Sequence, residues 1–333
     1  MEPSFILVGK LTRDYLLPPI GQPLLDSPGG SLLYAAGGLG VWEKRLGLVG
    51  RVGENYPRQW LKDLEGRGWD VSGIRIHPGT LEQRFFLSWS ENFEPSRANP
   101  VSQFARRGVP FPRALLGFQP RSDSQTASAK PDPISPLLHD IPSYYLDAGT
   151  LHLCPLELTA HQQFADSLRG AVRALTLDPS AVYMTPAFLR EVRGLVHGLT
   201  AFLPSLEEIT ALFWGQTHDA WEMAAAIGEF GCEYVVIKCG ARGQMLYDAG
   251  SKQRWEIPAY PARLADPTGV GDAFCGGFLA GYRKNYDPLE GVLHGNVSAS
   301  LAIEGSGPFH PLDVMQGLAE ARLDALRGMV RKI

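Results

Sequence analysis

Short, continuous apolar runs recur along the chain: FILVG at 5–9, LGLVGRVG at 46–53, YYLDAGTLHL at 144–153, ALTLD at 174–178, AFLP at 201–204 and YVVIK at 234–238. Runs of this length and continuity predict strands buried on both faces. Most are followed by stretches with helical spacing, at 57–68, 158–172, 185–199 and 206–215. Strands that alternate with helices imply parallel pairing through right-handed crossovers, with helices covering both faces of the sheet. The prediction is a three-layer α/β/α sandwich with a mainly parallel central sheet. Beyond 286 the pattern reads as helical to the end of the chain, first over 289–305 and then over 312–333.

Two stretches break that rhythm. TRDYLLPP at 12–19 and the segment GIRIHPG…QRFFLSWS at 73–90 alternate polar and apolar positions, which predicts a small separate sheet with one wet face. Residues 91–143 are rich in Pro, Ser and Arg and read as an irregular insertion. No repeat of solenoid length is evident. The expected organisation is one domain over 1–333, with a β lid from about 11–30 and 73–110 and the insertion at about 91–143.

Composition narrows the partners. The chain has 333 residues, 44% of them hydrophobic, and a formal net charge of −4. That length allows a large buried core, and the charge offers nothing to attract nucleic acid or an anionic membrane, so a small molecule is the expected partner. The four cysteines, Cys154, Cys232, Cys239 and Cys275, lack paired short spacings, and all but Cys154 lie in or beside apolar segments; they read as free thiols. Glu2 stands where a signal peptide carries positive charge, and no apolar stretch approaches the length of a membrane span. A soluble, cytoplasmic protein is expected. His152, His294 and His310 have no ligand spacing and read as structural or solvated.

The chemistry concentrates at 266–281, DPTGVGDAFCGGFLAG. Gly269 and Gly271 permit backbone shapes in which successive amides converge at a helix start, where unpaired donors and the helix dipole attract an anion or the charge on a transferring phosphoryl group. Asp272 then has two readings: a helix N-cap, or a base that takes a proton from the alcohol attacking that phosphate. Ala273, Gly276, Gly277, Ala280 and Gly281 leave one helix face nearly bare, which suits tight packing and would weaken a surface helix by roughly 1 kcal/mol per glycine.

This run resembles the C-terminal signature of the ribokinase-like (PfkB) carbohydrate kinases, in which Asp-x-Thr-Gly-Ala-Gly-Asp forms an anion hole ending in the catalytic base. DSPGGSLLYAAGGLGVWEKRLGLVGRVGENY is similar to the family's N-terminal region, with Gly29, Gly30, Gly50 and Gly53 in its glycine positions. The resemblance implies a central α/β sandwich with a β lid, and Asp272 as the base with Gly269, Val270 and Gly271 as the anion hole. It implies acceptor binding by Asp14, Gly29 and Gly30, and nucleotide binding by Lys238, Gly240, Gly243, Asn296 and Gly307. It further implies ATP and Mg2+, with Glu208 holding a metal-bound water although Ser205 replaces the family's Asn, and K+ beside Asp266 and Thr268. Glu208 also suits a helix first turn on its own.

The expected activity is ATP-dependent phosphorylation of a hydroxyl on a sugar, polyol or nucleoside-like molecule. The alternative is a catalytically weak homologue that senses nucleotide or sugar. A nicotinamide dehydrogenase would need Gly-x-Gly-x-x-Gly after the first strand, which ILVGKLTRDYLLP lacks. Leu32, Leu33 and Tyr34 suit either helix core or contact with an apolar group such as a nucleoside base. Arg106 and Arg107 read as a solvated basic run or as phosphate contacts. An exposed lid sheet has open edges that a second copy could cover in a homodimer.

Overall fold

The computed structural model describes residues 3–119 and 132–333. Its strands are β1 (Phe5–Val8), β2 (Thr12–Leu17), β3 (Leu24–Gly29), β4 (Leu46–Gly53), β5 (Asp70–His77), β6 (Arg84–Trp89) and β7 (Pro95–Ser96), then β8 (Thr150–Leu153), β9 (Ala174–Leu177), β10 (Ala201–Phe202), β11 (Tyr234–Lys238), β12 (Gln244–Asp248), β13 (Arg254–Ile257) and β14 (Arg331–Lys332). The central sheet runs β14-β13-β12-β11-β10-β9-β8-β1-β4-β5, and a smaller one runs β3-β2-β6-β7. From β5 to β11 every pairing is parallel, and β11 to β14 pair antiparallel.

The helices are α1 (Ser31–Gly40), α2 (Arg58–Gly66), α3 (Pro100–Arg106), α4 (Leu158–Leu168), α5 (Leu189–Val196), α6 (Leu206–Leu212), α7 (Ala220–Glu229), α8 (Val270–Asn285), α9 (Pro288–Ala302) and α10 (Leu318–Arg327). One face of the central sheet packs on α4 to α7, and the other on α1, α2 and α8 to α10. Every residue of β1, β8 and β9 is buried, which is why these strands read as short, mostly apolar runs. Among the described residues no helix is long and apolar enough to cross a membrane.

Several boundaries differ from the sequence expectation. Residues 73–77, expected in the small sheet, belong to β5 at the edge of the central sheet, in parallel register with β4. Gly73 and Ile74 are buried while Arg75, Ile76 and His77 are exposed, so the end of this edge strand is open on both faces, and its sequence alternation is one that a separate sheet with one wet face would share. Residues 143–148 form a 3-10 turn ahead of β8, and the chain ends in β14 on β13 instead of in a helix. The insertion contributes more order than its composition suggests: Phe104 of α3 packs with Tyr15, Leu17, Phe86 and Leu115 in a small core of its own. The remaining part, 120–131, lies outside the described residues.

The tightest packing is between α1 and α8. A Cβ at Gly276 would lie 1.9 Å from the Ala35 carbonyl oxygen, and one at Gly38 would lie 2.0 Å from that of Ala273. The bare face foreseen on α8 therefore serves backbone-to-backbone approach. Replacing Gly276 with Ala should force the two helices apart and lower stability by roughly 1–3 kcal/mol, as overpacking does. A urea midpoint equal to that of the wild type would show that the contact is looser than described.

Candidate active site

Parallel α/β sheets open a crevice at the carboxyl ends of their strands, and here Lys10, Asp178 and Lys238 stand at the ends of β1, β9 and β11. The small sheet roofs that end. Between them lies a cavity of about 470 Å3, whose lining includes Lys10, Asp14, Tyr34, Phe85, Trp89 and Asp272.

The floor is the start of α8. Gly269 caps the helix with φ 70°, a left-handed shape that favours glycine, and a Cβ there would sit 2.1 Å from the Tyr34 ring. The amides of Gly269, Gly271 and Asp272 have no intramolecular partner among the described residues. These open donors lie where the helix dipole adds positive potential. Asp272 is the third residue of the helix and not its cap, and its half-buried carboxylate accepts no hydrogen bond there. Burial pushes it up to about 8, helped by repulsion from Asp178 and opposed by Lys238.

Across the cavity, Asp14 projects from β2 and is almost fully buried. It accepts hydrogen bonds from Thr12 Oγ1 at 2.5 Å, from Tyr34 Oη at 3.4 Å and from the Gly30 backbone. Burial raises it to about 7 despite these donors. A Cβ at Gly29 would fall 1.9 Å from its Oδ2, so only glycine leaves room for this carboxylate.

A model of the pfkB family of carbohydrate kinases matches residues 127–315. The chain belongs to that family. It is 28% identical to a cytidine kinase of Thermococcus kodakarensis over 86% of this chain and 91% of that one. It is 26% identical to a 2-dehydro-3-deoxygluconokinase of Thermoproteus tenax over 78% and 74%. Two solved structures share the fold: a Burkholderia thailandensis nucleoside kinase in complex with inosine, with TM-score 0.69, 19% identity and coverage of 97% and 99%, and an E. coli chain described as a ribokinase II, in complex with ATP and Mg2+, with TM-score 0.68, 16% identity and coverage of 98% and 100%. The pfkB chain described here is thus a sugar or nucleoside kinase that phosphorylates a hydroxyl group.

Not every residue expected at the nucleotide reaches a free surface. Lys238 points inward, its Nζ 2.7 Å from both oxygens of Asp178 and 3.7 Å from Cys275 Sγ, and 3.6 Å from where a Gly271 Cβ would be. It places a charge beneath the loop that opens α8. Asn296 is buried and fully engaged: its amide donates to Gln244 Oε1 and the Pro258 carbonyl, and its oxygen accepts from the Tyr260 amide. That geometry leaves no donor for adenine and makes Asn296 a clamp on the segment after β13. Gly240 and Gly243 form a tight turn between β11 and β12, and a Cβ at Gly243 would strike the Ile257 carbonyl oxygen at 2.0 Å. Gly307 has φ 87° and lies within van der Waals reach of Leu24 in β3.

The metal candidates divide as well. Ser205 caps α6, accepting from the Glu208 amide at 3.1 Å, while Glu208 Oε2 accepts from the Ser205 amide at 2.7 Å. Glu208 therefore does fill the helix-start role, and burial followed by repulsion from Asp178 raises its pKa. Asp266 is fully buried; its Oδ1 accepts from the Thr268 amide at 2.9 Å and its Oδ2 has no partner among the described residues. Those residues hold no group of three or more His, Cys, Asp or Glu ready for a metal ion. Arg107 donates to the Pro18 and Trp89 carbonyls and pins the lid; it does not line the cavity.

Sequence reasoning missed Asp178 and Lys10. Asp178 ends the run ALTLD, and a carboxylate at the exit of a buried strand was the signal available for it. Lys10 lies 2.5 Å from Glu157 and 3.3 Å from Asp132, a pairing across 147 and 122 residues that no local pattern encodes.

The raised Asp272 pKa has a consequence for stability. The folded carboxyl holds its proton to about 8, and an unfolded Asp only to about 4. Folding therefore takes up a proton between those values, and this group's contribution to stability falls as pH rises from about 4 to about 8. Asp272→Asn removes the dependence. Its melting temperature without ligand should exceed that of the wild type by a margin that widens over this range; a constant margin would refute the shift.

Proposed function

We propose that this protein transfers the terminal phosphoryl group of ATP to a ribose-type hydroxyl of a nucleoside or a nucleoside-like sugar. The observation that carries the reading is that Asp14, the unpaired amides at the start of α8 and the Asp272 carboxylate border one cavity. Asp14 would orient the acceptor, since a carboxylate takes two hydroxyl hydrogens at once. Asp272 would accept the proton of the attacking hydroxyl, and the amides of Gly269 to Gly271 would steady the charge on the transferring group.

The acceptor class follows from the lid. Phe85, Trp89 and Phe118 line the cavity together with Tyr34, and flat apolar walls of this kind suit a base. The relatives named as cytidine and nucleoside kinases support the same class. Leu32 and Leu33, the sequence candidates for that contact, are fully buried core and take no part.

Magnesium would enter with ATP. Asp178 raises the pKa of both Glu208 and Asp272, so a divalent ion brought in by the nucleotide would relieve that repulsion, and Glu208 would hold a metal-bound water. Bound there, the ion supplies neutralisation of the leaving diphosphate. Lys238, locked to Asp178, keeps a positive charge under the loop at every working pH. The orphaned Asp266 Oδ2 suits a monovalent cation such as K+, with Thr268 next to it. A second copy would pair along the outer edge of β3, which is free among the described residues.

The test is ADP release across sugars, polyols and nucleosides, with and without K+. A nucleoside should give the highest kcat/KM, and Asp272→Asn should lower turnover by roughly 10²–10⁴-fold while ATP binding persists. Failure to release ADP with any of these acceptors would instead identify the chain as a weak or sensing homologue. Because the base works only when deprotonated, kcat/KM should climb with pH, reach half its plateau near 8 and level off above that. A profile already flat at pH 6 would remove Asp272 from the role.

A further inference from the structure

Trp89 ends β6, and its side chain ties the small sheet to the loop before α8. Its Nε1–H donates to Thr268 Oγ1 at 2.9 Å, a direct bond from the small sheet to the loop that opens α8, across 179 residues of chain. The indole is anchored from the lid side. Its own carbonyl accepts from Arg107 Nη2 at 2.6 Å, and its backbone pairs in register with Pro95 of β7. Thr268 is anchored from the other side, because its amide donates to Asp266 Oδ1 and the Asp266 amide donates to the Ile303 carbonyl at 3.1 Å. Between Thr268 and the helix stands Gly269, at φ 70° the softest joint in the loop. On the helix side the joint is held by the Ala273 amide on the Gly269 carbonyl at 2.9 Å and by the Val270 amide on the Pro267 carbonyl at 3.4 Å; on the loop side it is held by the pair of hydrogen bonds on Thr268, one from its amide and one to its hydroxyl.

We propose that Trp89 is a positioning residue for phosphoryl transfer: its indole N–H holds the Thr268 hydroxyl, and through it the amides of Gly269 and Gly271, in the orientation that receives the terminal phosphate. The inference rests on the kinase reading above. It assigns to a lid residue that lines the acceptor cavity a second task on the phosphate side. A hydrogen bond at one end of a short, glycine-jointed loop is well placed for this, since small rotations there displace every amide beyond the joint and phosphoryl transfer depends on aligned donors.

Two substitutions separate this task from that of a mere aromatic wall. Trp89→Phe keeps a flat ring and removes the donor, while Trp89→His keeps an N–H in a five-membered ring and removes the benzo ring. Steady-state kinetics with the best acceptor from the ADP-release screen, and calorimetric binding of the non-hydrolysable analogue AMP-PNP with Mg2+, read the two tasks apart. The Phe variant should lose roughly five- to tenfold in kcat and bind AMP-PNP more weakly by a similar factor, with acceptor KM within about twofold of wild type. The His variant should keep kcat and AMP-PNP affinity within about twofold and show its loss in acceptor KM. A Phe variant with wild-type kcat and AMP-PNP affinity overturns the proposal, as does a His variant no better than Phe on both readouts. If the wild type phosphorylates no acceptor, the kinase reading fails separately, and the AMP-PNP comparison still decides whether Trp89 holds the loop.

Discussion

The site depends on how closely α1 and α8 approach. Gly38 and Gly276 bring each helix backbone against carbonyl oxygens of the other, and Gly269 sets the loop edge against the Tyr34 ring. Side chains at these positions would hold the helices apart by a methyl group or more. The separation would be felt at the cavity, because Tyr34 of α1 bonds Asp14 while the first turn of α8 carries Asp272 and the open amides. Asp14 and the open amides of the loop thus share one rigid support. A geometry that must hold two reactants within bonding distance is secured by backbone contact, which has fewer ways to relax than contact between side chains.

The same packing creates the electrostatic tension that the chemistry uses. Asp14 and Asp272 are both pushed upward chiefly by burial, to about 7 and about 8, and Asp178 and Glu208 add repulsion at Asp272. Lys238 offsets part of it from beneath the loop. Without ligands this cluster is a burden on the fold. A magnesium-bearing nucleotide and a hydroxyl acceptor would convert it into binding energy, since each brings the positive charge or the protons that the carboxylates lack. In the proposed role, Asp272, whose ordinary value is near 4, would serve as a base matched to neutral or mildly alkaline solution.

Much of this was legible in the sequence where the signal is local. The parallel core shows as short, mostly apolar runs at β1, β8 and β9, and the loop of open amides as Gly269, Gly271 and Asp272 ahead of a bare helix face. What the sequence hid is either relational or ambiguous. The edge strand β5 alternates as a two-layer strand would, so its sheet could not be told from its pattern. Asn296 and Lys238 occupy motif positions, yet their hydrogen-bond partners Gln244, Pro258 and Asp178 lie far along the chain, and those partners decide their roles. Ser205 with Glu208 reads equally as a metal motif and as a capping box, because the spacing is the same for both.

The small sheet explains how one catalytic frame can serve different acceptors. Its core of Tyr15, Leu17, Phe86, Phe104 and Leu115 is separate from the clusters that flank the central sheet, and it draws on α3 from the insertion. Residues that face the cavity from this sheet, Phe85 among them, can therefore change without disturbing α1 or α8. Asp14 and Trp89 are the exceptions, since the Asp14 carboxylate accepts from Tyr34 of α1 and the Trp89 indole reaches across to Thr268. In the proposed reading, acceptor choice and phosphate geometry are independent along most of the lid and meet at those two residues, so a lid remodelled for another acceptor would have to keep a donor at position 89 or fix the loop by other means.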